Sequence, residues 1–247
     1  MEKGLSGNQL KCIAICSMTL DHLICVLYPN YPTDWWIIIC HILGRLAAPI
    51  FWYMIAEGYH YTHNVKKYLL RLFVFSILGH FAYNFAFGIP FIPFKTSVFN
   101  QTSVIWPLFI GVLGLALVDN QELKSWQKTV LVFILAALAF PSDWSSPAIL
   151  VILGFGRHRD NFKKQMRSML LWIAVYSAIY IVFIHPLYGI IQMGVALTIP
   201  LLKKYNGTRG KCNGMKYFFY LYYPMHLAIC GLIRIAVHGN IGVMIGG

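Results

Sequence analysis

Nine apolar stretches, near residues 10–28, 36–59, 68–88, 102–118, 127–141, 144–156, 167–185, 187–202 and 217–237, take up almost all of this chain. Most are long enough to cross a hydrocarbon layer of roughly 30 Å as helices, which takes about 20 residues at a rise of ~1.5 Å each. The fifth, sixth and eighth are short and are expected to be tilted, broken or re-entrant. Backbone groups in lipid must be satisfied within the segment, so the stretches predict helices. Charged residues make up only 11% of the sequence, against about 25% in a soluble domain. The expectation is an all-α, polytopic membrane helix bundle of about nine transmembrane segments. Connections are short, and no internal repeat or low-complexity tract divides the chain. Residues 1–247 are therefore read as a single transmembrane domain.

A net charge of +12 would suit a nucleic-acid partner, but its placement points elsewhere. Lys3 and Lys11 precede the first stretch, and Lys66, Lys67 and Arg71 follow the second. Lys124 and Lys128 follow the fourth. Arg157, Arg159, Lys163, Lys164 and Arg167 follow the sixth, and Lys203, Lys204, Arg209, Lys211 and Lys216 follow the eighth. Those alternate connections hold 17 of the 20 basic residues, leaving Arg45, Lys95 and Arg234. This is the positive-inside pattern, and it predicts a cytoplasmic N-terminus and an extracytoplasmic C-terminus. The clusters would attract the anionic head groups of membrane lipid, and no nucleic-acid partner is expected.

Six cysteines show neither a disulfide framework nor metal-site spacing. Cys12, Cys16, Cys25, Cys40 and Cys230 fall in apolar stretches, where cysteine is usually a small filler, and Cys212 falls in a cytoplasmic connection. No metal is expected. The first stretch lacks a small-residue cleavage signature and is read as a retained helix. Asn100-Gln101-Thr102 and Asn206-Gly207-Thr208 match the glycosylation pattern by chance, the second on the cytoplasmic side.

The residues that could carry chemistry are ionisable ones inside apolar stretches, since such groups are costly there and face a partner or a cavity. Asp21 and His22 sit in the first stretch. Being adjacent, they point about 100° apart around a helix, so Asp21 can bind a neighbouring helix while His22 faces a cavity. Lys11 lies eleven residues before His22, about three turns, on the same face and roughly 16 Å away along the axis. A cation at the membrane edge below a base at mid-depth suits a long anionic donor that enters from one side. Arg45, in Gly44-Arg-Leu-Ala-Ala-Pro49, stays charged at mid-depth and needs an anion, for which Asp21 is the candidate. That pair can be a packing ion pair or a support for the neighbouring histidine. Pro49 is expected to kink the second helix and free a backbone carbonyl. His226, after Pro224 in the last stretch, falls at matching depth, as do His80 and Asn84 in the third. Glu57 is either a solvated helix-end residue or part of a donor entrance. His41, His60, His63, His158, His185 and His238 lie near helix ends or in connections and are read as solvated.

Leu10-Lys-x-Ile-Ala-x-x-x-Met18-x-x-Asp-His22 resembles the opening signature of the TraX family, named for the conjugation protein that N-acetylates F-type pilin. Gly44-Arg-Leu-Ala-Ala-Pro-Ile-Phe51 resembles its second block, which usually carries an aromatic where Ala48 stands. Glu57-Gly-Tyr-x-x-Thr62, Lys67-Tyr-x-x-Arg-Leu72 and Tyr220-x-x-Tyr-Pro-x-His-Leu227 continue the likeness. The middle helices match only in hydropathy. The family is related to membrane acyltransferases that use cytosolic acyl-CoA and carry a basic residue, ten intervening positions and a histidine in the first helix. Lys11 and His22 have that spacing.

The resemblance implies acyl transfer, most simply of an acetyl group, in the cytoplasmic membrane of a prokaryotic cell. Acetyl-CoA or another acyl-CoA would be the donor substrate, with no bound cofactor. Its phosphates would lie near Lys11, and Glu57, His80 and Asn84 would line the substrate path. His22 would be the general base for an acceptor amine or hydroxyl on a peptide, pilin, glycan or lipid head, since imidazole exchanges protons near neutrality. Asp21, Arg45 and His226 would orient His22 or stabilise the developing oxyanion. A thioester on Cys25 is the covalent alternative. Two other classes are compatible with the same residues: a transporter or flippase with a polar central cavity, and an electron carrier with haem held between histidines among His22, His80 and His226.

Overall fold

The computed structural model describes residues 4–95, 97–210 and 215–243, with side chains from 218 onward in the last stretch. Lys3, Lys211, Cys212 and the side chain of Lys216 lie outside the described residues. The described chain is all-helical, with two isolated bridges, Leu5 to Tyr205 and Thr102 to Ser142, and no strand. Its helices are α1 (Gly7–Leu27), α2 (Trp35–Gly44), α3 (Ala47–Tyr61), α4 (Val65–Phe87), α5 (Ile105–Asp119) and α6 (Ser125–Ala139). They continue with α7 (Ser145–Arg157), α8 (Phe162–Phe183), α9 (Pro186–Gln192), a 3-10 segment (Met193–Thr198), α10 (Ile199–Lys203) and α11 (Met215–His238). Among the described residues six spans are long and apolar enough to cross a membrane, two of them composite: Trp35–Tyr61 and Pro186–Lys203. Shorter apolar helices, α5, α6 and α7, account for the remaining stretches, which is the pattern of a multi-pass membrane protein.

The second stretch breaks where the sequence placed a kink. Pro49 has no N–H to give to the carbonyl of Arg45, four residues earlier. The turn falls there, with Arg45 N–H reaching the carbonyls of His41 (3.1 Å) and Ile42 (3.2 Å), and Leu46 N–H that of Leu43 (3.2 Å). Pro49 itself sits in the first turn of α3, where a missing N–H costs nothing.

The chain forms two compact units, each built from separate parts of the sequence. The first comprises residues 1–51, 85–89 and 173–247. In it α1 packs against α2 and α11. Ser6 caps α1 with a reciprocal box, its backbone N–H on Gln9 Oε1 at 2.9 Å and its hydroxyl accepting from Gln9 N. Gly44 allows the α1–α2 approach, because any Cβ there would collide with the Asp21 side chain. Arg234 of α11, 2% exposed, donates to the carbonyls of Ala86 (3.0 Å), Phe85 (3.2 Å) and Ile241. A cation that satisfies the C-terminal carbonyls of α4 also complements that helix's dipole. Gly88, at φ +66°, supplies the left-handed residue that ends α4 there.

The second unit comprises residues 52–84 and 90–172. Its helices α5, α6 and α7 pack together around Ile110, Leu135, Ala139 and Ile149. Gly111 and Gly156 bring α5 and α7 close, since a Cβ at either would press into Ile152 or Leu115. Short helices with small residues at their crossings associate by close backbone packing, the usual means where lipid removes the hydrophobic drive.

Candidate functional site

The first unit gathers Asp21, His22, Arg45 and His226 into two adjoining clusters joined by the Asp21–His22 peptide bond. The first is an ion-pair network. Arg45 Nη2 donates to Asp21 Oδ2 at 2.6 Å, and His41 Nδ1 donates to Asp21 Oδ1 at 2.9 Å. Arg45 Nε returns to the carbonyl of His41 (3.2 Å), one turn earlier, and Nη1 donates to Gln192 Oε1 of α9 (3.1 Å). His41 and Arg45 are each 1% exposed and Gln192 is 0% exposed. A buried guanidinium is tolerable because its carboxylate partner has both oxygens engaged and its other nitrogens meet acceptors.

The second cluster is a histidine pair. His22 Nδ1 and His226 Nε2 are 2.9 Å apart, and His226 Nδ1 is 3.0 Å from the carbonyl of Tyr222. The ring planes are nearly parallel at 4°, with centroids 5.1 Å apart. That separation is the 2.9 Å bond plus two ring radii, so the imidazoles lie edge to edge in one plane, as a strong N–H···N bond requires. The hydrogen positions follow by elimination. A carbonyl only accepts, so His226 carries its proton on Nδ1. Neutral His226 therefore accepts at Nε2, and His22 donates from Nδ1. Neutral His22 is left with a bare lone pair on Nε2, the form a general base needs.

Tyr222 braces this pair from the side. Its ring lies 5.2 Å from His226 at 14°, and its Oη is 2.7 Å from Thr19 Oγ1 of α1. The Thr19 hydroxyl proton goes to the carbonyl of Ile15 at 2.8 Å, so Tyr222 is the donor to Thr19. Phe87 closes an edge of His22 at 5.7 Å. Three turns nearer the start of α1, Lys11 Nζ lies 5.4 Å from the centroid of Phe219 on α11.

Glu57, His80 and Asn84 belong to the second unit. Glu57 pairs with Arg159 Nε at 3.5 Å, and Arg159 also lies over Tyr61 at 4.9 Å. His80 Nε2 donates to the carbonyl of Phe91 (2.8 Å), and Asn84 Nδ2 to that of Pro90 (2.9 Å). Both side chains fasten the connection that follows α4.

One expectation changes. His41, read as solvated from its place near a helix end, is buried against Asp21, because Gly44 on the next turn lets α2 approach α1 closely there. Arg45 bonds to Asp21 and Gln192, beside His22. The histidine pair is bonded to itself, an arrangement that leaves no gap for iron between the two rings. The Cys25 thiol lies within 4.8 Å of donor atoms on Asp21 and His41. Those three could approach a metal, but the carboxylate already serves Arg45 and His41, and a second cation there would oppose the guanidinium. No disulfide joins the five described cysteines.

His41 and Gln192 both carry a signal in the sequence. His41 is four residues before Arg45, on the same helix face, and Gln192 is the lone amide in an apolar run from Pro186 to Leu202.

Helical spans with a buried ionic and histidine centre define a polytopic membrane protein with polar chemistry in its interior. The model of the TraX protein family matches residues 6–234, and the chain belongs to that family. It is 28% identical over 231 residues, 91% of this chain and 93% of the other, to a probable fimbrial assembly protein, FimC of serogroup H1, from Dichelobacter nodosus. No solved structure matches it.

Proposed function

We propose that this protein is an acyltransferase of the bacterial cytoplasmic membrane that moves an acetyl group from acetyl-CoA to an amine or hydroxyl acceptor. The observation that carries the reading is the tautomer of His22, whose Nε2 lone pair is fixed by the chain His22 Nδ1–H to His226 Nε2 and His226 Nδ1–H to Tyr222 O. The acceptor's nitrogen or oxygen attacks the thioester carbonyl while His22 Nε2 takes its proton. The imidazolium so formed shares charge with His226 through the in-plane bond. Collapse of the tetrahedral intermediate breaks the carbon–sulfur bond, and the proton returns from His22 to the departing thiolate. The Asp21–Arg45–Gln192 network holds α1, α2 and α9 around this base and adds no second base. Transfer is direct, with no acyl-enzyme.

The family, and a relative named for fimbrial assembly, support a pilin-like peptide N-terminus as the acceptor. The test incubates detergent-purified protein with acetyl-CoA and a peptide bearing such an N-terminus. Acetylated peptide and free coenzyme A should appear in equal amounts, and both should form about 10²–10⁴-fold more slowly with His22→Ala. Product formation by His22→Ala at the native rate would overturn the assignment of the base.

A further inference from the structure

The segment from Lys203 to Gly210 is folded onto the N-terminus of α1. Leu5 N–H donates to Lys204 O (2.7 Å), Asn206 N–H to Leu5 O (3.0 Å), Gly7 N–H to Thr208 O (2.8 Å) and Asn8 N–H to Arg209 O (3.0 Å). Asn206 Oδ1 accepts from the backbone and hydroxyl of Thr208 at 3.0 and 2.8 Å, which closes the turn. Gly207 and Gly210 occupy φ +75° and +90°, and a Cβ at 210 would press on Ser6 Oγ. The motif that reads as a glycosylation site is thus the hinge of a tight clamp.

This clamp has two chemical consequences. The free N–H groups of the first turn of α1 are all taken, by Thr208 O, Arg209 O, Ser6 Oγ and Ser6 O. An anion arriving at this end of α1 cannot bind the helix terminus itself and must be met by side chains. The clamp also sets exposed Arg209 on Asn8, one turn before Lys11 and on the same face of α1. Neither cation forms an ion pair with a carboxylate among the described residues. Exposed Lys203 and Lys204 ride on the same clamp.

We propose that the clamp is a phosphate-binding site, in which Arg209 acts with Lys11 to hold the phosphates of the thioester donor three turns from His22. The assignment rests on the acyl-CoA reading above. A planar guanidinium can grip a phosphate with two parallel N–H bonds, and an ammonium adds a point charge. Backbone hydrogen bonds fix where the Arg209 side chain starts from.

The test titrates free coenzyme A, and separately pantetheine, which lacks the phosphates, into the full-length protein in neutral detergent. Arg209→Gln should weaken coenzyme A binding by about tenfold or more, as expected for losing a charge-assisted contact. Arg209→Lys should recover most of that loss, pantetheine binding should not change, and the thermal midpoint should stay at the native value. Coenzyme A binding by Arg209→Gln at native affinity would overturn the clamp alone. Failure of the native protein to bind coenzyme A would overturn the acyl-CoA reading first. A parallel arm adds phosphatidylglycerol to the micelles: if Arg209→Gln loses only lipid binding, the site serves head groups and the proposal falls.

Discussion

His22 on α1 and His226 on α11 share one proton-bearing bond of 2.9 Å across 204 residues of sequence, with their rings in a common plane. Among the described residues no carboxylate bonds to the candidate base. The acidic residue beside it, Asp21, is spent on Arg45 and His41. The partner that fixes the tautomer of His22 is therefore another imidazole, itself fixed by a backbone carbonyl.

If His22 is the base, His22→Ala should lower turnover by about 10²–10⁴-fold while donor binding stays intact. His226→Ala should also lower turnover, because it frees the wrong nitrogen of His22 to carry the proton. His226→Gln should retain more activity than His226→Ala, since an amide oxygen can accept from His22 Nδ1. Turnover of the three purified variants is the measurement, and equal loss in the Gln and Ala variants would remove the tautomer argument.

Arg45→Ala should cost roughly 3–5 kcal/mol, because Asp21 would remain as a buried, uncompensated charge. The double variant Asp21→Asn with Arg45→Gln should recover expression and thermal midpoint without recovering activity. Full activity in the double variant would exclude both residues from the mechanism.

His41→Leu removes the donor to Asp21 Oδ1 and should destabilise the protein by about 1–3 kcal/mol. Gly44→Ala, which forces a methyl into Asp21, should cost about 1–3 kcal/mol as an overpacked contact. Thermal unfolding in detergent reads both. A solvated His41 would give no change on substitution.

Reporter fusions after residues 62, 95, 160 and 210 should read cytoplasmic, extracytoplasmic, cytoplasmic and cytoplasmic, following the basic connections. A cytoplasmic signal at 95 would invert the orientation and place Lys11 on the wrong face for a cytosolic donor.

The helices were legible because lipid leaves the backbone few choices and the apolar stretches mark them. Asp21, His22, Arg45 and His226 were legible for the same reason, as costly groups in those stretches. Depth along a helix does not say which neighbour a side chain meets. Glu57, His80 and Asn84 share depth or motif with the others, yet fold into the second unit and bind their own surroundings. His41 lies near a helix end by residue count, yet Gly44 brings α2 against α1 and its imidazole meets Asp21.

The two halves of the histidine pair are also far apart in time. A ribosome adding roughly 5–20 residues per second makes His22 some 10–40 s before it makes His226. Any nascent or prematurely terminated product carries the first imidazole without the second. The bond that fixes the tautomer of His22 can thus form only once α11 has been made.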